Sequence, residues 1–282
     1  MLPIKKIYID SRQKTEDSVS HTDFRVDLPI GNLELPKNTG FYITDITIPI
    51  SFYTIEKGRN DMIYFIIGPT SPLEDALMCA KRIPEGNYNL VSLNNAIADI
   101  MNTGYLTPSN NIIPTKFISM PNLSTNKIII GNEHNTFEIL TDIQALTHIV
   151  AGWTGASYPL NSINTMIQNV TPQTILKGVD YFKSGYVDLF PIRNLYIVSN
   201  SLGNYSSMSL NGERGILKKI PVRASYNELL FDQTILGMDY LDCSNQSIST
   251  LDFKLKDSYN NTIDLHGNHW SFSIIFVRIN EE

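Results

Sequence analysis

Between Gly40 and Pro49 the chain reads Gly-Phe-Tyr-Ile-Thr-Asp-Ile-Thr-Ile-Pro. In an extended backbone this run sets Phe41, Ile43, Asp45 and Thr47 on one face against Tyr42, Thr44, Ile46 and Ile48 on the other. A period of two belongs to a strand, because successive side chains of a pleated backbone point to opposite sides of a sheet. Similar runs recur at Ile4 to Ile9, Asp23 to Leu28 and Asp61 to Ile67, the last closed by Gly68-Pro69 and Ser71-Pro72. They return from Gly185 onward at Tyr186 to Leu189, Asn194 to Ser199, Ile216 to Val222, Glu228 to Ile235, Ile248 to Leu255 and Trp270 to Ile279. Many strands with turn-formers between them predict a mainly β chain built as a sandwich, and their number lies near the ~8 of a jelly roll.

The middle of the chain breaks this period. Leu90, Leu93, Ile97 and Ile100/Met101 recur at helical spacing behind Asn89, a competent N-cap, with Gly104 placed to terminate the helix. Strand candidates follow at Lys116 to Met120, Lys127 to Ile130 and Thr136 to Leu140, then a second helical spacing over Asp142 to Val150. The stretch from Gly152 to Pro172 is rich in Gly, Ser, Thr, Asn and Pro and reads as surface. The expected organisation is a single jelly-roll β-sandwich made of residues 1–75 and 180–282, interrupted by a small α+β insertion domain at 80–175.

At 282 residues the chain is long enough to bury a sizeable core without disulfides. Only 18% of residues are charged and the net charge is −6, which argues against a dedicated nucleic-acid site, since phosphate neutralisation needs clustered Lys and Arg. The densest basic groups, Lys5-Lys6 and Lys218-Lys219 with Arg223, read as solvated strand ends. Cys79 and Cys243 form no CxxC or Cys/His spacing, so neither a zinc site nor a disulfide framework is signalled. No apolar run approaches the ~18 residues of a membrane span, and the first residues lack the apolar region of a signal peptide.

Chemistry finds little purchase. There is no Gly-x-Ser-x-Gly elbow and no phosphate-cradling glycine loop. His266 and His269 with Asp264 are the tightest group of metal-ligand types, but Gly267-Asn268 between the histidines is turn chemistry. Glu213, Asp252, Asp257 and Asp264 supply carboxylates for a glycosidase pair in principle, while Asp257 to Asn261 reads better as a hairpin connection. No catalytic, cofactor-binding or metal-ligating residue is therefore assigned, no cofactor is expected, and the chain is read as no enzyme. Aromatic residues near loops, namely Trp153, Tyr158, Tyr181, Phe182, Tyr186 and Tyr205, serve to cap the core, anchor a subunit interface or stack on sugars.

A connected series of phrases carries a family resemblance. Tyr186-Val-Asp-Leu-Phe-Pro-Ile-Arg-Asn-Leu-Tyr-Ile-Val-Ser199 is followed by Asn211-Gly-Glu213, Lys218-Lys-Ile-Pro-Val222, Leu251-Asp-Phe-Lys-Leu-Lys-Asp-Ser-Tyr-Asn260 and Trp270-Ser-Phe-Ser-Ile-Ile-Phe276. Ile9-Asp-Ser-Arg12, Thr22-Asp-Phe-Arg-Val-Asp-Leu-Pro29, Tyr42 to Ile55 and Pro84-Glu-Gly-Asn-Tyr88 add to it. In this order they resemble the penton, or minor capsid, proteins of virophages and Polinton-like viruses. The resemblance leaves about 105 to 180 unmatched.

The resemblance implies a structural protein of the virion, assembled in the host cytoplasm as a homopentamer at the five-fold vertices of an icosahedral double-stranded DNA capsid. It also implies trimers of a double-jelly-roll major capsid protein as neighbours, and an insertion that projects outward, where it would meet a host receptor. The alternative kept open is a carbohydrate- or receptor-binding β-sandwich that makes its contact through Trp153 and the insertion.

Overall fold

A computed structural model of the protein describes residues 2, 4–68, 77–106, 112–113, 115–150, 161–167, 173–190, 192–202, 212, 214–235 and 240–279. In chain order the first strands are β1 (Lys6–Asp10), β2 (Asp23–Asp27), β3 (Leu33–Glu34), β4 (Thr39–Pro49), β5 (Met62–Ile67) and β6 (Leu77–Arg82), followed by helix α1 (Leu90–Met101). Next come β7 (Tyr105–Leu106), β8 (Ile112–Ile113), β9 (Phe117–Ser119), β10 (Ile129–Asn132) and β11 (Phe137–Ile139), then α2 (Asp142–Val150) and α3 (Asn164–Ile167). The later strands are β12 (Phe182–Lys183), β13 (Asn194–Val198), β14 (Ile216–Pro221), β15 (Leu229–Asp232), β16 (Leu241–Asp242), β17 (Ser247–Ile248), β18 (Thr250–Lys256) and β19 (Ser271–Arg278).

The chain divides into two compact units, residues 1–52 with 192–282, and residues 53–191. In the first unit one sheet has the order β1-β19-β4-β15, with β16 pairing β4 beside β15, and the other has the order β14-β13-β18-β2. Counting only its eight main strands along the chain, the two sheets run 1-8-3-6 and 5-4-7-2, and every pairing is antiparallel. This order is that of a jelly roll, the double-sheet solution in which two Greek keys interleave. The mainly β jelly-roll expectation is met by strand order alone.

Period-two burial builds its core. Along β18, Leu251, Phe253 and Leu255 are buried while their neighbours are half-buried, and β2 repeats the pattern with Phe24 and Val26. Phe253 from one sheet meets Phe272 from the other, and Phe24 beside Phe253 meets Trp270 edge-on. Trp270 stacks on Phe272 at 4.9 Å between ring centroids, and Phe253 meets Phe272 edge-on at 4.8 Å. Trp270 donates its indole N–H to the carbonyl of His21 at 2.7 Å, so its one polar atom is satisfied inside the core.

Strand β4 departs from strict alternation. Phe41 and Ile43 point inward, and so do Ile46 and Ile48, which the sequence pattern had put on the opposite face. The cause is a bulge: Thr44 pairs with Ser273 and Thr47 with Ser271, so Asp45 and Ile46 together oppose Phe272. Asp45 adopts the left-handed backbone needed there, at φ 51°, a conformation that aspartate tolerates better than a β-branched residue does. Its carboxylate accepts a hydrogen bond from Lys6 Nζ at 2.7 Å, reaching across β19 to β1.

The second unit centres on the sheet β11-β5-β6. All six residues of β5 are buried, because both faces are covered. Ile63, Phe65 and Ile67 pack with Leu90, Leu93, Ile97 and Met101 of α1, while Met62, Tyr64 and Ile66 pack with Leu140 and Ala145 on the α2 side. Helix α1 begins with a reciprocal capping box between Asn89 and Ser92. A further sheet, β12-β10-β9, completes the unit.

Two sequence expectations change here. The run from Asp61 to Ile67, placed with the sandwich by its pattern, pairs with β6 and β11 in the second unit. Tyr186 to Leu189 is no strand; its backbone is held by separate bonds, Val187 N–H to Asn126 and Asp188 N–H to Met166, around a fully buried Val187. Alternation there reflects one anchored side chain, not a ladder.

Candidate assembly surface

A jelly roll has four free sheet edges, and such edges attract other strands unless charge, proline or a bulge guards them. Both edges of the β14-β13-β18-β2 sheet carry such guards, and β1 carries charge only toward its ends. On β2, Asp23, Arg25 and Asp27 alternate outward, and Lys254 of the neighbouring strand pairs with Asp23 at 3.1 Å. On β14, Lys219 is exposed and Pro221 offers no N–H donor. On β1, Lys6 sits 4.9 Å from the ring centroid of Tyr8 and Asp10 is paired with Arg12, while Tyr8 between them is exposed.

The fourth edge, β15, is different. Leu230 is buried, while Leu229 and Phe231 on either side of it are 51% and 69% exposed. Tyr226 before the strand and Ile235 after it are exposed as well. The strand is held rigidly from behind by a clasp between the sheets. Lys218 of β14 places its ammonium 3.2 Å from the Asp232 carboxylate and donates to the carbonyls of Ile43 and Thr234. Burial works to raise the Asp232 carboxyl, but hydrogen bonds from Thr234 and the charge of Lys218 hold it below the ordinary carboxylate range. Lys218 was read from sequence as part of a solvated basic group; it is instead mostly buried, with its side chain 10% exposed.

The remaining sequence candidates fall apart in space or lie outside the described residues. His266 and Gly267, at φ 52° and 79°, form the centre of a tight turn closed by Asn268 N–H to Leu265. His266 also bonds the Ser51 carbonyl through Nδ1, and Asp264 accepts from the His266 backbone. Asp257 accepts from the backbones of Tyr259 and Asn261, which makes Asp257 to Asn261 a hairpin connection. Asp252 caps a different turn, accepting from the backbone N–H groups of Asn200 and Ser201 and from the Ser199 hydroxyl. Burial pushes its carboxyl up, and the Ser201, Asn200 and Ser199 donors more than reverse that, leaving it lowered. Glu213 lies outside the described residues. Among the described residues no three His, Cys, Asp or Glu side chains gather as a metal group, and no helix is long and apolar enough to cross a membrane.

Both cysteines are buried thiols outside any disulfide, pushed up by desolvation to about 11 for Cys79 and about 12 for Cys243. Of the loop aromatics, Phe182 is core and Tyr186 is exposed, while Trp153, Tyr158 and Tyr205 lie outside the described residues. Tyr181 is 41% exposed and rests on Gly131, where an added Cβ would come within 2.6 Å of its ring. Sequence reasoning did not single out Tyr8, Leu229 or Phe231, because exposure at an edge follows from strand order.

Among solved structures, the chain is similar to the mavirus penton protein, with 12% identity, a TM-score of 0.49 and coverage of 96% of this chain and 98% of that one. It is also similar to a chain in the cryo-EM structure of the Sputnik virophage, with 13% identity, a TM-score of 0.41 and coverage of 98% of each. No family profile matches the sequence, and no curated protein does.

Proposed function

We propose that this protein is a structural capsid subunit, forming homopentamers at the five-fold vertices of an icosahedral double-stranded DNA virus or virophage. The observation that carries the reading is a complete eight-stranded jelly roll whose edge strand β15 presents Leu229 and Phe231 to solvent from a rigid, clasped position. A vertex subunit works by geometry: it needs stiff sheets that fix angles and an unguarded contact surface that repeats around a ring. The ordered phrases from Tyr186 to Phe276 support the same reading. Partners in it are further copies of the chain and trimers of a double-jelly-roll major capsid protein, with the virion as location and the host cytoplasm as the place of assembly. The reading assigns no catalytic step to the chain.

The test is light scattering coupled to size exclusion, with and without purified major capsid protein. A pentameric mass and incorporation into shells are expected. A chain that stays monomeric and never enters shells would sink the proposal.

One observation favours a second role alongside it, attachment to carbohydrate or a receptor through residues 80–175 and the segment that follows. Tyr181, exposed and braced on Gly131, offers an aromatic surface of the kind sugar rings stack on. Glycan-array binding that disappears in Tyr181→Ala is the expected result; equal binding by both proteins would remove this role.

A further inference from the structure

The assembly reading leaves open which surfaces meet. Resting on that reading, we infer that β15 of one copy docks against β1 of the next, joining the two open edges of the β1-β19-β4-β15 sheet head to tail.

Several observations converge on this pairing. The edges of the other sheet are guarded by charge and proline, as described above, whereas β15 and β1 present exposed Leu229, Phe231 and Tyr8, the last 73% exposed. The side chains share a face: on β1 Ile9 points into the core and Tyr8 away from it, and on β15 Leu230 points inward with Leu229 and Phe231 away. Strand direction fits as well. Because every neighbour in the sheet is antiparallel, β1 and β15 run oppositely within one chain. A copy carried round an axis parallel to the strands keeps its direction, so its β1 arrives antiparallel to the β15 it meets.

Matching faces set the register, and Lys5 adds a charge beside the clasped Asp232. Setting Tyr8 opposite Leu229 places Ile7 opposite Leu230 and Lys5 opposite Asp232, with Phe231 against the stem of Lys6. Lys5 is exposed and has no ion-pair partner among the described residues. The β15 edge carries Glu228 before it and Asp232, already paired with Lys218, at its end, while β1 is preceded by Lys5 and begins with Lys6, already paired with Asp45. Two β15 edges facing each other antiparallel about Leu230 would set Glu228 of each against Asp232 of the other. A heterologous contact avoids this clash, and such contacts form rings when the rotation between copies closes.

Cysteine cross-linking tests this directly. Within one chain positions 8 and 229 lie on β1 and β15, three strand spacings apart across the sheet and so at least about 14 Å from each other. A disulfide spans at most about 7 Å between Cα atoms, so only neighbouring copies can form it. The native Cys79 and Cys243 are buried and weakly ionised, and stay out of the reaction. In the full-length Tyr8→Cys/Leu229→Cys variant, mild oxidation should give a ladder of covalent multimers on a non-reducing gel, with no ladder from either single variant. Phe231→Glu should raise the concentration needed for self-association at least about tenfold, with an unchanged near-ultraviolet circular dichroism spectrum. A folded double variant that yields only monomer while the parent self-associates would place the contact elsewhere and overturn the inference. Efficient covalent dimers from one single variant would show a two-fold edge contact and overturn it too. A parent that is monomeric at every concentration would remove the assembly reading itself.

Discussion

At the scale of single residues, the sandwich depends on a few side chains that do two things at once. Trp270 joins the sheets through its ring and ties the His21 carbonyl through its indole nitrogen. Trp270→Ala should therefore destabilise the first unit by about 3–5 kcal/mol, with the larger share from the cavity; denaturant titration followed by circular dichroism measures it, and Trp270→Phe should recover most of the loss. Asp252, a carboxylate weighed in the sequence for a glycosidase pair and not assigned, has a structural task. Its folded pKa lies below the ordinary value of about 3.9. Its contribution is therefore complete above that value and is lost as pH falls through the lower folded one. Wild-type stability should drop as pH falls below about 4, and Asp252→Asn should flatten that part of the pH profile while lowering stability at neutral pH. The sequence placed Trp270 at the start of the last strand run but held no sign of its stacking partners. Likewise, only the fold brings the turn at Ser199 to Leu202 against Asp252.

At the scale of elements, period two made most strands of the sandwich legible, because one face of each is core. Helix α1 was legible from Asn89 to Gly104 for a similar reason: cap, apolar stripe and terminator agree. The bulge in β4 was not, since one extra residue leaves composition untouched and only inverts the faces of Ile46 and Ile48. Asp45→Gly should keep the bulge and change stability little, the lost bond to a Lys6 that is about a third exposed being weak. Asp45→Val should cost about 1–2 kcal/mol through the left-handed backbone; thermal unfolding of the two variants side by side separates these outcomes. The clasp behind β15 has a larger expected effect. Lys218→Met, which leaves Asp232 without its cation, should cost about 3 kcal/mol and weaken self-association beyond what stability alone explains. Strand 77–82 went unread because Leu77 to Arg82 has no clean alternation, and β5 was grouped with the sandwich because fully buried strands carry no mark of which unit buries them.

At the scale of the whole molecule, two units of nearly equal length share one chain, and the second interrupts the jelly roll between its third and fourth main strands. The sandwich end from which the chain departs is firmly tied: Ile50 exchanges backbone bonds with Asn227 and Glu228, and Arg193 accepts from Val222. Excising 53–191 in favour of a short Gly/Ser linker should accordingly leave a folded sandwich with the Trp270 near-ultraviolet signal, and a molten product would contradict this independence. The central claim is that the jelly roll builds five-fold rings, and negative-stain electron microscopy of the purified full-length protein tests it most directly. The account predicts class averages of closed rings with five-fold symmetry that break up in Phe231→Glu; particles that remain monomeric, or rings of another symmetry, would contradict it.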